Sequence, residues 1–152
     1  MPAFESARLD NAGSLNGDAG SDSFVFSDGT SVSGTIDGGA DADSLNFAAD
    51  TDGVVVSLAT LLRGVADGIT VTSVESATGG STTNDRLEAT DGSNAVNITS
   101  ANAGNVVSTF GFTSFERLAG GSVADTADDT FVFSDGASVA GTIDGVGGTN
   151  TL

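Results

Sequence analysis

The feature that most constrains this chain is a self-match. Asp22-Ser23-Phe24-Val25-Phe26-Ser27-Asp28-Gly29 and the residues on to Leu45 return 107 positions later as Asp129-Thr130-Phe131-Val132-Phe133-Ser134-Asp135-Gly136 and on to Leu152. Without a gap, 15 of 24 positions are identical. A match at fixed offset argues for stacked units rather than a single irregular core.

A finer period lies inside it. Pairs of apolar residues separated by one position fall at Phe24/Phe26, Leu45/Phe47, Ile69/Val71, Leu87/Ala89, Phe110/Phe112 and Phe131/Phe133, with Leu152 opening a seventh. The residue between them is free to be polar, as in Asn46 or Glu88. Strand alternation explains this, because i and i+2 share one face. Val32 and Ile36, Val54, Val56 and Leu58, Val96 and Ile98, and Val139 and Ile143 read as a second strand in each unit. Asp28-Gly29, Asp91-Gly92 and Asp135-Gly136 supply the positive-φ corners between the two. The stretch 58–62 also admits a helical turn, which Gly64 and Gly68 cut short. Units of about 21 residues, stacked at the ~4.8 Å strand spacing, would place Phe24, Leu45, Ile69, Leu87, Phe110 and Phe131 in one inner column. Core packing is the reading of that column.

Composition removes whole classes of chemistry. The chain has no Lys, His or Cys, four Lys+Arg in all, and a formal charge of −17. That balance excludes nucleic acid, whose phosphates demand basic partners, and anionic membrane surfaces. Without His or Cys there is no ordinary zinc site, Ser-His-Asp triad or thiol nucleophile. At 38% hydrophobic residues the chain is too apolar for an acidic disordered tail. No apolar run is long enough to span a bilayer, and Met1-Pro2-Ala3-Phe4-Glu5 has no signal-peptide pattern.

A larger unit sits above the short one. Val71-Thr72-Ser73-Val74-Glu75 with Gly79-Gly80-Ser81 repeats as Phe112-Thr113-Ser114-Phe115-Glu116 with Gly120-Gly121-Ser122. Phe4-Glu5 resembles the tail of the same motif, so 4–114 reads as one superunit and 115–152 as the start of a second, within one domain covering 1–152. The turns entering the strands carry the chemical signal. Gly17 to Phe24 and Gly38 to Leu45 follow G-G-x-G-x-D-x-U with one departure each; Gly145 to Leu152 has Val and Asn at two positions, and the turns from Gly79 and Gly120 are looser.

On these motifs the chain resembles the hemolysin-type calcium-binding, or repeats-in-toxin, family, in the degenerate long form found in large bacterial surface proteins. The resemblance implies an all-β fold, a right-handed parallel β-helix or β-roll solenoid of about seven coils. It also implies calcium held between neighbouring turns by aspartate and loop carbonyls. Calcium takes six to eight oxygens. Only the turns at 17 and 38 are one coil apart with both aspartates kept, so Asp22 and Asp43 would face each other, with Asp18, Asp41, Gly17 and Gly38 around them. Asp129 would oppose Asn150, and Asp85 would sit on a turn without a motif-bearing neighbour. Asp28, Asp91 and Asp135 read as corner formers.

Two function classes follow. One is a non-catalytic structural or adhesive segment of a secreted or cell-surface bacterial protein, rigidified by calcium, whose other partners would be neighbouring repeats or copies stacked end to end. The other is a β-helix enzyme cleaving polysaccharide with paired carboxylates. The second lacks Trp, Tyr, Lys and His to hold sugar, and Arg8, Arg63, Arg86 and Arg117 are scattered. The structural class is therefore the expectation.

Overall fold

Over most of the described residues the alternation of apolar and polar residues becomes strand. The computed structural model describes residues 10–32, 34–58, 63–64 and 70–152. Phe4, residues 59–62 and Ile69, on which sequence expectations fell, lie outside them. Every regular element among the described residues is a strand. Ser23–Ser27 buries Phe24 and Phe26 and leaves Val25 half-buried; Ser44–Ala49 does the same with Leu45 and Phe47 about Asn46. The Asp-Gly corners form as read, with Gly29, Gly92 and Gly136 at φ of 69°, 119° and 76°, a region open to glycine at little cost.

The strands divide among sheets of seven, five, three and two. The largest runs, in spatial order, Thr130–Phe133, Ala95–Ser100, Ala103–Val106, Phe110–Thr113, Ser76–Thr78, Ser44–Ala49 and Ser23–Ser27. The five-stranded sheet runs Ile143–Asp144, Arg117–Ala119, Arg86–Glu88, Val55–Ser57 and Arg63–Gly64. Thr35–Asp37 sits between Leu15–Asn16 and Thr70–Thr72 in the third. Asp10–Ala12 pairs with Ser31–Val32 in the fourth.

The expected right-handed parallel solenoid of about seven coils of ~21 residues is corrected by this topology. The seven-stranded sheet is mixed: Ala103–Val106 runs antiparallel to both Ala95–Ser100 and Phe110–Thr113. Val55–Ser57 and Arg63–Gly64 are also antiparallel. Nor is the period uniform. Phe24 pairs with Leu45, Leu45 with Ala77 and Ala77 with Phe112, steps of 21, 32 and 35 residues. Leu87, expected in that row, pairs with Val56 and Leu118 in the five-stranded sheet. The physical cause is local turn chemistry. Asn102 at φ 53° closes one tight reversal, and Val107 and Ser108 at φ 46° and 59° close the next, so the chain doubles back where a crossover was expected. Val96 and Ile98, read as a unit's second strand, instead pair with Phe131 and Phe133.

The sheets close on one continuous core. Phe24, Leu45, Phe112 and Phe131 from the largest sheet, Val56, Leu87 and Leu118 from the second, and Ile36 and Val71 from the third all belong to a single buried cluster. Phe26 and Phe47 stack with centroids 4.6 Å apart and planes at 18°, an arrangement contributing about 0.5–1.5 kcal/mol beyond area burial. Phe24, Leu45 and Phe131 share one sheet, though not at one step. The parallel pairs matter most for chemistry, because they set the residues just before each strand side by side.

Candidate functional site

Just ahead of the strands lie columns of acids and amides, buried except at Glu75 and Asn150, which are exposed. In the first, the Asp22 N–H donates to Asp43 Oδ1 at 2.7 Å, and the Asp43 N–H donates to Glu75 Oε2 at 2.7 Å. In the second, the Val54 N–H donates to Asp85 Oδ1 at 2.8 Å, and the Asp85 N–H to Glu116 Oε2 at 3.3 Å. In the third, the Asn94 N–H donates to Asp129 Oδ1 at 2.9 Å, and the Asp129 N–H to Asn150 Oδ1 at 2.8 Å. The pattern is one device used three times. A side-chain oxygen on one strand accepts the main-chain N–H of the residue entering its neighbour, satisfying a donor that a strand start would otherwise leave open.

The second carboxylate oxygen is not satisfied. Oδ2 of Asp22, Asp43, Asp85, Asp125 and Asp129 is shut off from solvent and has no hydrogen-bond partner among the described residues. Asp43, Asp85 and Asp129 are at most 1% exposed. A buried acceptor left open costs about 1–3 kcal/mol, and more when charged. Burial pushes the Asp43 carboxyl up from the ordinary value, with the charges of Glu75, Asp22 and Asp41 adding to the rise and the Asp22 N–H opposing it. Burial also raises Asp85, against the N–H groups of Val54 and Gly80 and the Thr82 hydroxyl.

The Gly-rich turns exist to make room for these oxygens. A Cβ on Gly17 would stand 2.8 Å from Asp22 Oδ2; on Gly38, 2.6 Å from Asp43 Oδ2; on Gly79, 3.1 Å from Asp85 Oδ2. Each of those positions is also crowded by a carbonyl of the adjacent segment, from Gly38, Ser73 and Ser114 respectively. Gly120 and Gly121 cradle Asp129 Oδ2 and Asp125 Oδ2 in the same way.

Asp22 and Asp43 are thus brought together, as are Asp129 and Asn150. Asp18 and Asp41 sit on the same turns but are exposed, at φ 66° and 80°. The Asp18 carboxylate accepts from the Asn16 amide at 2.8 Å, and Asp41 Oδ2 from the Gly20 N–H at 3.3 Å. Asp85 does have neighbours, Val54 and Glu116, neither on a glycine motif. Sequence reasoning passed over three acids. Glu75 and Glu116 extend two columns, and their signal was the shared Thr-Ser-x-Glu of the larger repeat. Asp125 lies in the longer turn after Gly120, where the motif spacing breaks.

A separate acidic group lies on the surface. Carboxylate oxygens of Asp28, Asp50 and Asp52 come within 4.8 Å of one another. The Thr51 hydroxyl and N–H, at 2.6 and 3.3 Å, hold Asp28 below the usual carboxylate range. Asp28 therefore serves both as corner and as a member of this triad.

An all-oxygen donor set is what calcium requires. The partnerless Oδ2 atoms are oxygens of that kind, whereas the group of three carboxylates that converge within 4.8 Å of one another among the described residues is Asp28, Asp50 and Asp52. No family model matches the chain, and no match is found among curated proteins or solved structures.

Proposed function

We propose that this chain is a non-catalytic structural or adhesive segment of a secreted or cell-surface bacterial protein, stiffened by calcium taken up at its acidic turns. The observation carrying this reading is the set of buried Asp oxygens with no partner among the described residues. A charged oxygen in that state is costly, and a divalent ion reverses the sign of the like-charge repulsion within a column. The residues that would hold calcium are Asp22 and Asp43 with Gly17 and Gly38, and separately Asp85 and Asp129; Asp18 and Asp41 line the same turns. Asp28, Asp50 and Asp52 offer a further site at the surface, where their carboxylate oxygens lie within 4.8 Å of one another.

Binding to the folded state alone stabilises it by mass action, about 2.7 kcal/mol when calcium is a hundredfold above its Kd. The test is calorimetric titration of chelator-treated protein with calcium, with magnesium as comparison, followed by thermal melts at each endpoint. Binding heat and a rise in Tm with calcium are expected. A flat titration with an unchanged Tm overturns the cation reading.

A further inference from the structure

Asp43 and Asn150 occupy the same position in the two copies of the repeat. Their first branches behave alike: each Oδ1 accepts the N–H of the residue 21 positions earlier, at 2.7 and 2.8 Å. Their second branches do not. Asn150 Nδ2 donates to the carbonyls of Gly145 and Gly147 at 2.9 and 2.7 Å. The corresponding residues in the first copy are Gly38 and Ala40, yet Asp43 presents there a carboxylate oxygen, which when ionised cannot donate, and it has no partner among the described residues. Asn94 also uses its amide as a donor, in a buried setting. Its Nδ2 lies 2.7 Å from Thr90 O, 2.8 Å from Gly120 O and 3.0 Å from Asp129 Oδ1, while its own Oδ1 accepts from the Thr90 hydroxyl and Asp129 keeps an open Oδ2.

We infer that these turns require a positively polarised group on the second branch, and that Asn94 and Asn150 carry it in their own side chains while Asp22, Asp43, Asp85 and Asp129 must borrow it from a small bound cation. The amide of Asn is the built-in substitute for the ligand. The Asp/Asn choice then decides, turn by turn, whether closure depends on the ion. The identity of that cation as calcium rests on the function proposed above; the need for a donor does not.

The experiment compares thermal melts of wild type, Asp43→Asn, Asp41→Asn and Asn94→Asp, in chelator and in calcium. Asp43→Asn keeps the Oδ1 acceptor for the Asp22 N–H and adds the missing donor. It should melt above wild type in chelator by about 3 °C or more for a chain of this size, with a smaller further rise in calcium. Asp41→Asn removes an exposed charge from the same turn and should move Tm less. Asn94→Asp, facing Asp129, should melt lower in chelator and regain most of the loss in calcium. Asp43→Asn melting at or below wild type in chelator overturns the inference, as does an equal gain from Asp41→Asn, which would reduce the effect to charge removal. A wild type that takes up no calcium while Asp43→Asn still gains defeats the calcium reading alone.

Discussion

Replacing Gly38 with alanine probes one of the tightest glycine positions among the described residues. Gly38 follows Thr35–Asp37, and its N–H donates to Thr72 O at 3.0 Å. An added methyl would stand 2.6 Å from Asp43 Oδ2 and 2.8 Å from Asp43 Cβ, with the Ser73 carbonyl nearer still. The Ser73 oxygen belongs to backbone and the Asp43 Cβ is one bond from it, so neither swings aside as a flexible side-chain end would. Ser73 itself is held at φ 52°. Overpacking of this kind costs about 1–3 kcal/mol. Displacing Asp43 also strips the Asp22 N–H of its acceptor, adding about 1–3 kcal/mol for a buried unpaired group. A loss near 3 kcal/mol corresponds to a fall in Tm of roughly 6–12 °C at this chain length. Gly13→Ala is the control, since nothing lies within 4 Å of its would-be Cβ and its effect should stay within about 0.5 kcal/mol. The assay is thermal and urea unfolding by circular dichroism in chelator. Gly38→Ala melting within a degree of wild type, or Gly13→Ala falling as far, would refute the packing argument.

Three further outcomes are expected. Leu87, 1% exposed between Val56 and Leu118, should cost about 2–5 kcal/mol on change to alanine, read from the urea midpoint; a loss under 1 kcal/mol would mean it does not bridge the five-stranded sheet to the core. Burial raises the folded-state pKa of Asp43 and Asp85 above 3.8, so their contribution favours folding where they are protonated and fades as pH climbs through those raised values. In chelator, Tm should therefore rise as pH falls from 7 toward 3.8, with exposed Asp28, shifted the other way, opposing; a steady fall on acidification counts against it. Asp28→Asn should weaken calcium uptake at the surface triad roughly tenfold, equivalent to about 1.4 kcal/mol, while heat from the buried columns persists. Loss of all binding heat would place every ion at the triad.

How far the sequence could be read depends on the step being considered. The 21-residue step is a true pairing: Phe24 on Leu45, Ser23 on Ser44, and Asp22 against Asp43. It was legible because both turns keep the same length and the same Gly-to-Asp spacing. The next steps absorb whole loops, and a count of apolar pairs cannot tell a strand that crosses to another sheet from one that returns to the first. Leu87 shows this, since its Leu-x-Ala pattern matches Phe24 and Phe26 while its partners lie elsewhere. The Ala103–Val106 reversal was hidden for a different reason: non-glycine residues at positive φ, such as Val107 and Ser108, give almost no sequence signal. Glu75 and Glu116 were missed because they reach the column with a longer side chain and no glycine motif ahead of them.

The reversed strand has an electrostatic result. Ser76–Thr78, entered from Glu75, and Ala95–Ser100, entered from Asn94, are separated in the largest sheet by Phe110–Thr113 and Ala103–Val106. Three strand spacings set their entry ends roughly 14 Å apart. The residue entering Phe110–Thr113 is the neutral Thr109. The meander thus places uncharged backbone between Glu75 at one strand entry and Asp129, bonded to Asn94, at the other, so that distance alone weakens the repulsion between them.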